Sequence, residues 1–263
     1  MENVILETNG HKIVMTINKP ETLNALNTSV IKQIDNACDQ IRERLDDGED
    51  IRCVIVTGAG EKAFVAGADI SEMSAMNLIQ ARKFGVDCNK AFRNLETLPV
   101  PVIAALNGFT LGGGFELALA CDIRVASAKA KIAFPETGLG ITPGSGGTQR
   151  LSRLTSSAIA KEMIFTGRRI DAAEALTLGI VNKVVEPETL MDETNAMADM
   201  ICANGPIAVR LAKQSISRGL EADIETGLQI EIDTFCQCFN TEDQKEAMRA
   251  FLEKRKEKKF VNK

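Results

Sequence analysis

Three short apolar runs constrain the fold more than any other feature of the chain: "RCVIVTG" (Arg52 to Gly58), "VPVIAALNG" (Val100 to Gly108) and "DIRVAS" (Asp122 to Ser127). Each is bounded by turn residues and is of strand rather than helix length, so each reads as a short buried strand. Helical patterns separate them: a stretch from about Ser71 to Leu95, and "FELALAC" directly after Gly112, Gly113 and Gly114. Strand, helix, strand therefore recurs, which predicts parallel crossover units under helices and an α/β class. Before them, "VILETNGHKIVMTI" carries Asn9-Gly10 between two alternating runs, a hairpin signature. The loop "NKPETLNALN" follows. Thr28 or Ser29 then opens an amphipathic helix with Val30, Ile31, Ile34, Cys38, Ile41 and Leu45 on one face. "GAGEKAFVAGADI" reads as a turn-rich connection.

The alternation fades after Val185. Beyond Glu186 only helices are expected: Glu188 to Cys202, Pro206 to Arg218, Ile224 to Phe239, and Thr241 to Lys258, the last opened by a good cap at Thr241. The division expected is a core with the functional site over 1–200 and a helical oligomerisation region over 201–263, whose apolar faces need a partner. No low-complexity segment and no repeat of solenoid length stands out.

Composition narrows the classes of function. The chain has 263 residues, 44% hydrophobic and 25% charged, as in a soluble globular protein with one large core and an appendage. No apolar run is of membrane-spanning length, and "MENVILETNG" lacks the basic and apolar regions of a signal peptide, so a cytoplasmic location is expected. The seven cysteines are scattered and odd in number, and read as reduced core residues. A net charge of -5 argues against a general nucleic-acid binder. The basic tail "EKRKEKKFVNK" is either a solvated helix end or a specific anion contact. The only histidine, His11, falls in the hairpin turn and reads as solvent-facing. It rules out a two-histidine metal site and leaves triad chemistry one badly placed base, so no metal ligand is assigned.

Chemistry concentrates in the middle of the chain. "TLGGGFELALACDI" drives a carboxylate, Glu116, into an apolar segment immediately after three glycines. The glycines are either a tight turn or an exposed set of N–H groups at a helix N-terminus, suited to an anion or to a developing oxyanion. In "FVAGADI", Ala66, Gly67 and Ala68 let a ligand lie on the backbone, and Asp69 is placed to cap the next helix. A second embedded carboxylate, Glu136, lies in "KIAFPETGLGITPG". Each of the two either pairs with an arginine such as Arg124 or Arg150, or serves chemistry through a raised proton affinity. "GLGITPGSGGTQRL" lacks the Gly-Lys-Ser/Thr ending of a phosphate loop and does not fit the dinucleotide fingerprint.

Taken together, "GAGEKAFVAGADISEM", "NGFTLGGGFELALACDIRVAS", "FPETGLGITPGSGGTQRL" and "FLEKRK" resemble the enoyl-CoA hydratase/isomerase (crotonase) family, and most closely its short-chain hydratases. The resemblance runs from "TINKPETLNALN" to the C-terminal helix. It implies the crotonase spiral of repeated β-β-α units, a C-terminal helical region used for trimerisation, and a trimer or a hexamer built from two trimers. It implies that the N–H groups of Ala68 and Gly113 form an oxyanion hole for a thioester carbonyl, and that Glu116 and Glu136 are the catalytic pair. In the family's usual account Glu116 is mainly the base for water and Glu136 mainly supplies the proton. Ala25, Ala66 and Ile70, with Asp69 beside them, match positions at the CoA cleft, while Phe251 and Lys254 match positions that reach a neighbouring subunit's CoA. No cofactor is implied beyond the CoA carried by the substrate, and neither nucleic acid nor membrane is an expected partner. One departure stands out: many hydratases have Gly-Gln before the Pro-Glu, where this chain has Ala133-Phe134, which changes local pocket shape. The rival implications are an isomerase that moves the double bond, a non-catalytic acyl-CoA- or RNA-binding scaffold, and dehalogenase or thioesterase chemistry on the same fold.

Overall fold

Asn9-Gly10 makes the expected hairpin. In the computed structural model, which describes residues 2–263, β1 (Val4–Asn9) pairs antiparallel with β2 (Lys12–Ile17), from Val4↔Ile17 to Asn9↔Lys12. Gly10 takes φ 59° in the turn, and His11 is exposed. The amphipathic helix follows as α1 (Thr28–Asp46), but its cap is Asn27, whose side chain accepts the Val30 N–H, rather than Thr28 or Ser29.

Successive strands then alternate between two sheets. β3 (Cys53–Gly58) joins β2 in a large sheet, and β4 (Ala63–Val65) starts a small one. After α2 (Ile70–Met73) and α3 (Leu78–Glu96), β5 (Val102–Leu106) returns to the large sheet and β6 (Phe109–Leu111) to the small. After α4 (Gly113–Leu119), β7 (Ile123–Ser127) and β8 (Lys131–Ala133) repeat the step. A 3-10 turn (Glu136–Leu139), α5 (Gly147–Leu154) and α6 (Ser157–Thr166) follow; β9 (Ile170–Asp171) then edges the small sheet. α7 (Ala172–Thr177) leads to β10 (Lys183–Val185), which closes the large sheet. The orders are β1-β2-β3-β5-β7-β10 and β4-β6-β8-β9, parallel except for β1–β2 and β8–β9. This is the spiral of β-β-α units.

The large sheet is covered on both faces, which explains its unbroken apolar strands. Val54, Val56, Val102 and Ala104 face the main core with α1 and α3; Ile55, Ile103 and Val125 face α8 (Leu190–Cys202) through Leu190 and Ala198. Five of the seven cysteines are buried and all are free. Among the described residues no helix is long and apolar enough to cross a membrane.

Three local expectations need correction. The connection after β3 contains β4, too short at three residues for its periodicity to be read. The single helix over Ser71–Leu95 is two, because Asn77 and Gln80 exchange side-chain and backbone hydrogen bonds in a capping box that starts α3. The last helices are α9 (Pro206–Gly219), α10 (Ile224–Cys238) and α11 (Glu242–Leu252), and α11 does not reach Lys258. Thr241 caps it as expected. It stops because Lys254 takes φ 56° and the chain turns back, where buried Asp243 accepts the N–H groups of Val261 and Asn262 at 2.6 and 3.0 Å. The basic tail is therefore not a helix end.

The glycines before α4 set how closely it meets β4. A Cβ on Gly114 would lie 2.0 Å from the Val65 carbonyl oxygen, whereas one on Gly113 would first meet the Leu26 side chain at 3.4 Å. Gly114→Ala is therefore expected to lower unfolding free energy in urea by at least about 2 kcal/mol. Gly113→Ala should cost under about 1 kcal/mol.

Candidate active site

Three neighbouring parallel strands of the small sheet end side by side, and each hands its next residues to one cavity. β4 runs into Ala66-Gly67-Ala68, β6 into Gly112-Gly113, and β8 into Pro135-Glu136. The carboxyl ends of parallel strands are where open α/β sheets gather ligand-binding groups. The cavity is about 550 Å³. α3 closes one side with Ala81, Phe84, Gly85 and Cys88, and the segment Leu139–Ser145 supplies Ile141, Thr142 and Gly144. A larger hollow of about 770 Å³ lies elsewhere, rimmed by Lys62, Lys129, Lys131 and Arg169 among other groups, and contains neither Glu116 nor Glu136.

The backbone donors arise from local geometry. Leu26 N–H bonds to Gly67 O at 2.9 Å and Asp69 N–H to Leu26 O at 2.8 Å. This single bridge uses both neighbours of Ala68 and leaves its N–H without an acceptor among the described residues. Gly112 has φ 50° and ψ -122°, a conformation for glycine alone, and a Cβ there would sit 2.5 Å from Glu136 Oε1. The turn starts α4 at Gly113, whose N–H has no acceptor among the described residues either. A Cβ on Gly113 would be 3.6 Å from the Ala68 nitrogen. Two free donors thus face one region of the cavity wall, the arrangement an oxyanion requires.

The carboxyls differ in their surroundings. Glu116, on α4, is 2% exposed, and its Oε1 accepts the N–H groups of Ser145 at 2.7 Å and Gly147 at 2.8 Å. Gly147 is the first residue of α5, so the carboxylate also meets the positive end of that helix. Burial raises its proton affinity, and the Gly147 and Ser145 N–H groups, the Ser145 hydroxyl and Arg150 oppose that rise. Glu136 has no such cradle: its Oε2 is buried without a partner. Burial, with the charge of Glu116 adding to it, pushes Glu136 up to about 7. Neither pairs with an arginine. Arg124 serves the carbonyls of Ile180, Cys121 and Ala118, and Arg150 pairs with Glu96. The salt-bridge alternative for the two glutamates is therefore excluded.

Of the residues singled out in the sequence, Ala66, Ala68, Ile70, Gly113, Glu116 and Glu136 line the cavity. Ala25 does not, although the next residue, Leu26, does. Asp69 turns away to cap α2 through the Ser71 N–H and lies 3.6 Å from Lys19 Nζ. Phe251 and Lys254 are exposed and outside the cavity. Sequence reasoning missed the α3 wall and the Ser145 and Gly147 donors. The wall has a signal, since Ala81, Phe84, Gly85 and Cys88 follow helical spacing; the donors are backbone groups and have none.

A family model described as enoyl-CoA hydratase/isomerase matches residues 7–260. The chain belongs to that family. It is 55% identical over 262 residues to the short-chain-enoyl-CoA hydratase of Clostridium acetobutylicum, covering 100% of this chain and 99% of that protein. It is 48% identical to the crotonyl-CoA hydratase of Syntrophomonas wolfei, covering 97% of this chain and 96% of that protein. The crystal structure of enoyl-CoA hydratase from Bacillus anthracis superposes with a TM-score of 0.94 at 43% identity, covering 99% of this chain and 100% of that one. This member of the enoyl-CoA hydratase/isomerase family has two free backbone donors and two carboxyls without a cation partner around one cavity.

An uncompensated Glu136 has a cost that pH exposes. With its value raised from an ordinary 4.5 to about 7, the native state holds a proton that the unfolded chain has released, so stability falls as pH rises between those values. Glu136→Gln should remove that slope and at pH 8 be more stable than the parent by up to about 3 kcal/mol in urea unfolding.

Proposed function

We propose that this chain catalyses the reversible syn addition of water to short-chain trans-2-enoyl-CoA thioesters such as crotonyl-CoA, giving the 3-hydroxyacyl-CoA. Run backwards, the same chemistry dehydrates 3-hydroxybutyryl-CoA. The observation that carries the reading is the meeting of the free Ala68 and Gly113 N–H groups with Glu116 and Glu136 on one cavity. The thioester oxygen lies on the two N–H groups. As they draw density from the conjugated double bond, the β-carbon becomes electrophilic and enolate character is stabilised; one such donor is worth roughly 3 kcal/mol.

The unequal surroundings of the carboxyls support a division of labour. Glu116, whose burial raises its proton affinity while two N–H groups at a helix N-terminus still stabilise its charge, is suited to take a proton from the attacking water. Glu136, with one buried oxygen unpartnered and its value pushed up to about 7, is suited to carry the proton delivered to the α-carbon. An isomerase that moves the double bond generally uses one acidic residue, so the second carboxyl favours hydration. Short acyl chains are supported by the names of the 55% and 48% identical relatives. The chemistry calls for no cofactor besides the CoA of the substrate.

The exposed apolar side chains support self-association as a trimer or a dimer of trimers. Leu220, Phe251 and Leu252 are 84%, 78% and 80% exposed in the C-terminal helical region, as is Leu78 of α3 at 86%. In such an assembly Phe251 and Lys254, remote from their own cavity, serve the CoA of a neighbour. Sedimentation equilibrium checks this; a monomer at micromolar concentration removes the assembly and that role together.

Glu116→Gln and Glu136→Gln should each bind acyl-CoA and lose roughly 10²–10⁴-fold in crotonyl-CoA hydration. Near-normal turnover in either variant takes that residue out of the mechanism. The profile of kcat/KM should be bell-shaped. Its acid limb reports Glu116 becoming ionised, and its alkaline limb falls as pH rises through about 7, where free Glu136 loses its proton.

A further inference from the structure

Arg150 lies in "GGTQRL", and the structure gives it a use at one remove from the carboxyls. Its guanidinium forks onto Glu96 at the end of α3, Nε to Oε1 at 3.1 Å and Nη2 to Oε2 at 2.9 Å. The remaining nitrogen, Nη1, donates to the Ser145 carbonyl at 3.0 Å. Gly146 has φ 102°, and a Cβ there would fall 2.0 Å from Arg150 Nη1, so the guanidinium occupies the space a side chain would need. On the other side of the same loop, Asn89 Nδ2 donates to the Gly144 carbonyl at 2.8 Å. That carbonyl belongs to the peptide unit whose N–H, from Ser145, reaches Glu116 Oε1. A peptide held at its oxygen by a donor gives a stronger N–H to its acceptor.

We propose that Arg150, anchored by Glu96, and Asn89 are positioning residues for the hydration reaction: they fix the Gly144–Gly147 backbone so that the Ser145 and Gly147 N–H groups converge on Glu116. The inference rests on the reading of Glu116 as the base. Neither side chain lines the cavity. They act by keeping two donors aimed at one oxygen, which favours the anionic carboxylate. The one further donor to Glu116, the Ser145 hydroxyl, rides on the same loop. Glu136, across the cavity, is pushed up to about 7 and so carries no charge below that, and burial pushes the Cys88 thiol on α3 up to about 12, so it is neutral. Glu96 offsets the charge of Arg150, so orientation rather than net charge is the main effect.

Arg150→Gln and Asn89→Ala test this in the full-length enzyme. Loosening the loop makes Glu116 hold its proton to higher pH, so the acid limb of kcat/KM for crotonyl-CoA should move up by about one pH unit in Arg150→Gln. In Asn89→Ala, at an exposed residue, it should move in the same direction by less. KM should change under about 2-fold, because the substrate contacts are untouched. Arg150→Lys keeps the charge but lacks the fork, and should resemble Arg150→Gln. A wild-type acid limb in Arg150→Lys overturns positioning in favour of simple charge. Infrared titration of the Glu116 carboxyl in free enzyme, read as the difference from the matching Glu116→Gln protein, reports the same shift without turnover. A parent that fails to hydrate crotonyl-CoA while this titration still shifts sinks only the role of Glu116 as base. An unmoved Glu116 titration in both Arg150→Gln and Asn89→Ala overturns the proposal, and Asn89→Ala alone decides it if Arg150→Gln does not fold.

Discussion

A carboxylate can remain ionised inside an apolar interior only if something replaces the water it has lost, and Glu116 is held to that condition from every side. Its neighbours on α4 are all buried. The replacement is a pair of main-chain N–H groups at the start of α5 rather than a cation. A direct arginine partner would neutralise the group and weaken it as a base, whereas amide donors stabilise the charge and still leave it able to accept a proton. The surrounding packing serves that arrangement. A Cβ on Gly147 would come within 2.6 Å of the Phe134 ring and 3.0 Å of Glu116 Cγ, so the donor residue is small because ring and carboxyl stem already fill the space.

The spiral explains why donors and carboxyls from distant parts of the chain arrive together. Each β-β-α turn places one strand in each sheet, so the three short strands of the small sheet lie adjacent and in parallel. Whatever follows each strand is delivered to the same edge. Ala68, Gly113 and Glu136 are therefore neighbours by construction, although tens of residues separate them in sequence. Glu116 comes from the helix that one of those turns begins, and its cradle from the next helix along.

Much of this was legible from residue patterns. Buried strands β3, β5 and β7, the hairpin, the helical C-terminal region and the two embedded carboxyls all carry signals that periodicity and burial cost make visible. Strands β4, β6 and β8 do not, because three residues are too few to show a period and their side chains alternate too briefly. Nor could the arginine question be answered from sequence. Arg124 and Arg150 were equally available on paper; only the fold shows that one is spent on carbonyls and the other on Glu96. Asp69 fits both a cap and a cleft residue by sequence, and the geometry supports the cap because its carboxylate accepts from Ser71 and leaves the cavity to its neighbours.

Phe134 lies between the surroundings of the two glutamates. Phe134 is fully buried, with its ring centroid 4.6 Å from that of Phe115, and it walls the side of α5 that presents Gly147. A ring at that position fixes the donor that holds Glu116 but offers no hydrogen bond to Glu136, two residues further on. Phe134 thus packs against the donor residue of one carboxyl, while the other keeps a buried oxygen without a partner. Desolvation raises both; Glu116 is offered the N–H groups of Ser145 and Gly147 in return, whereas Glu136 has only its own main-chain N–H and feels the charge of Glu116 besides.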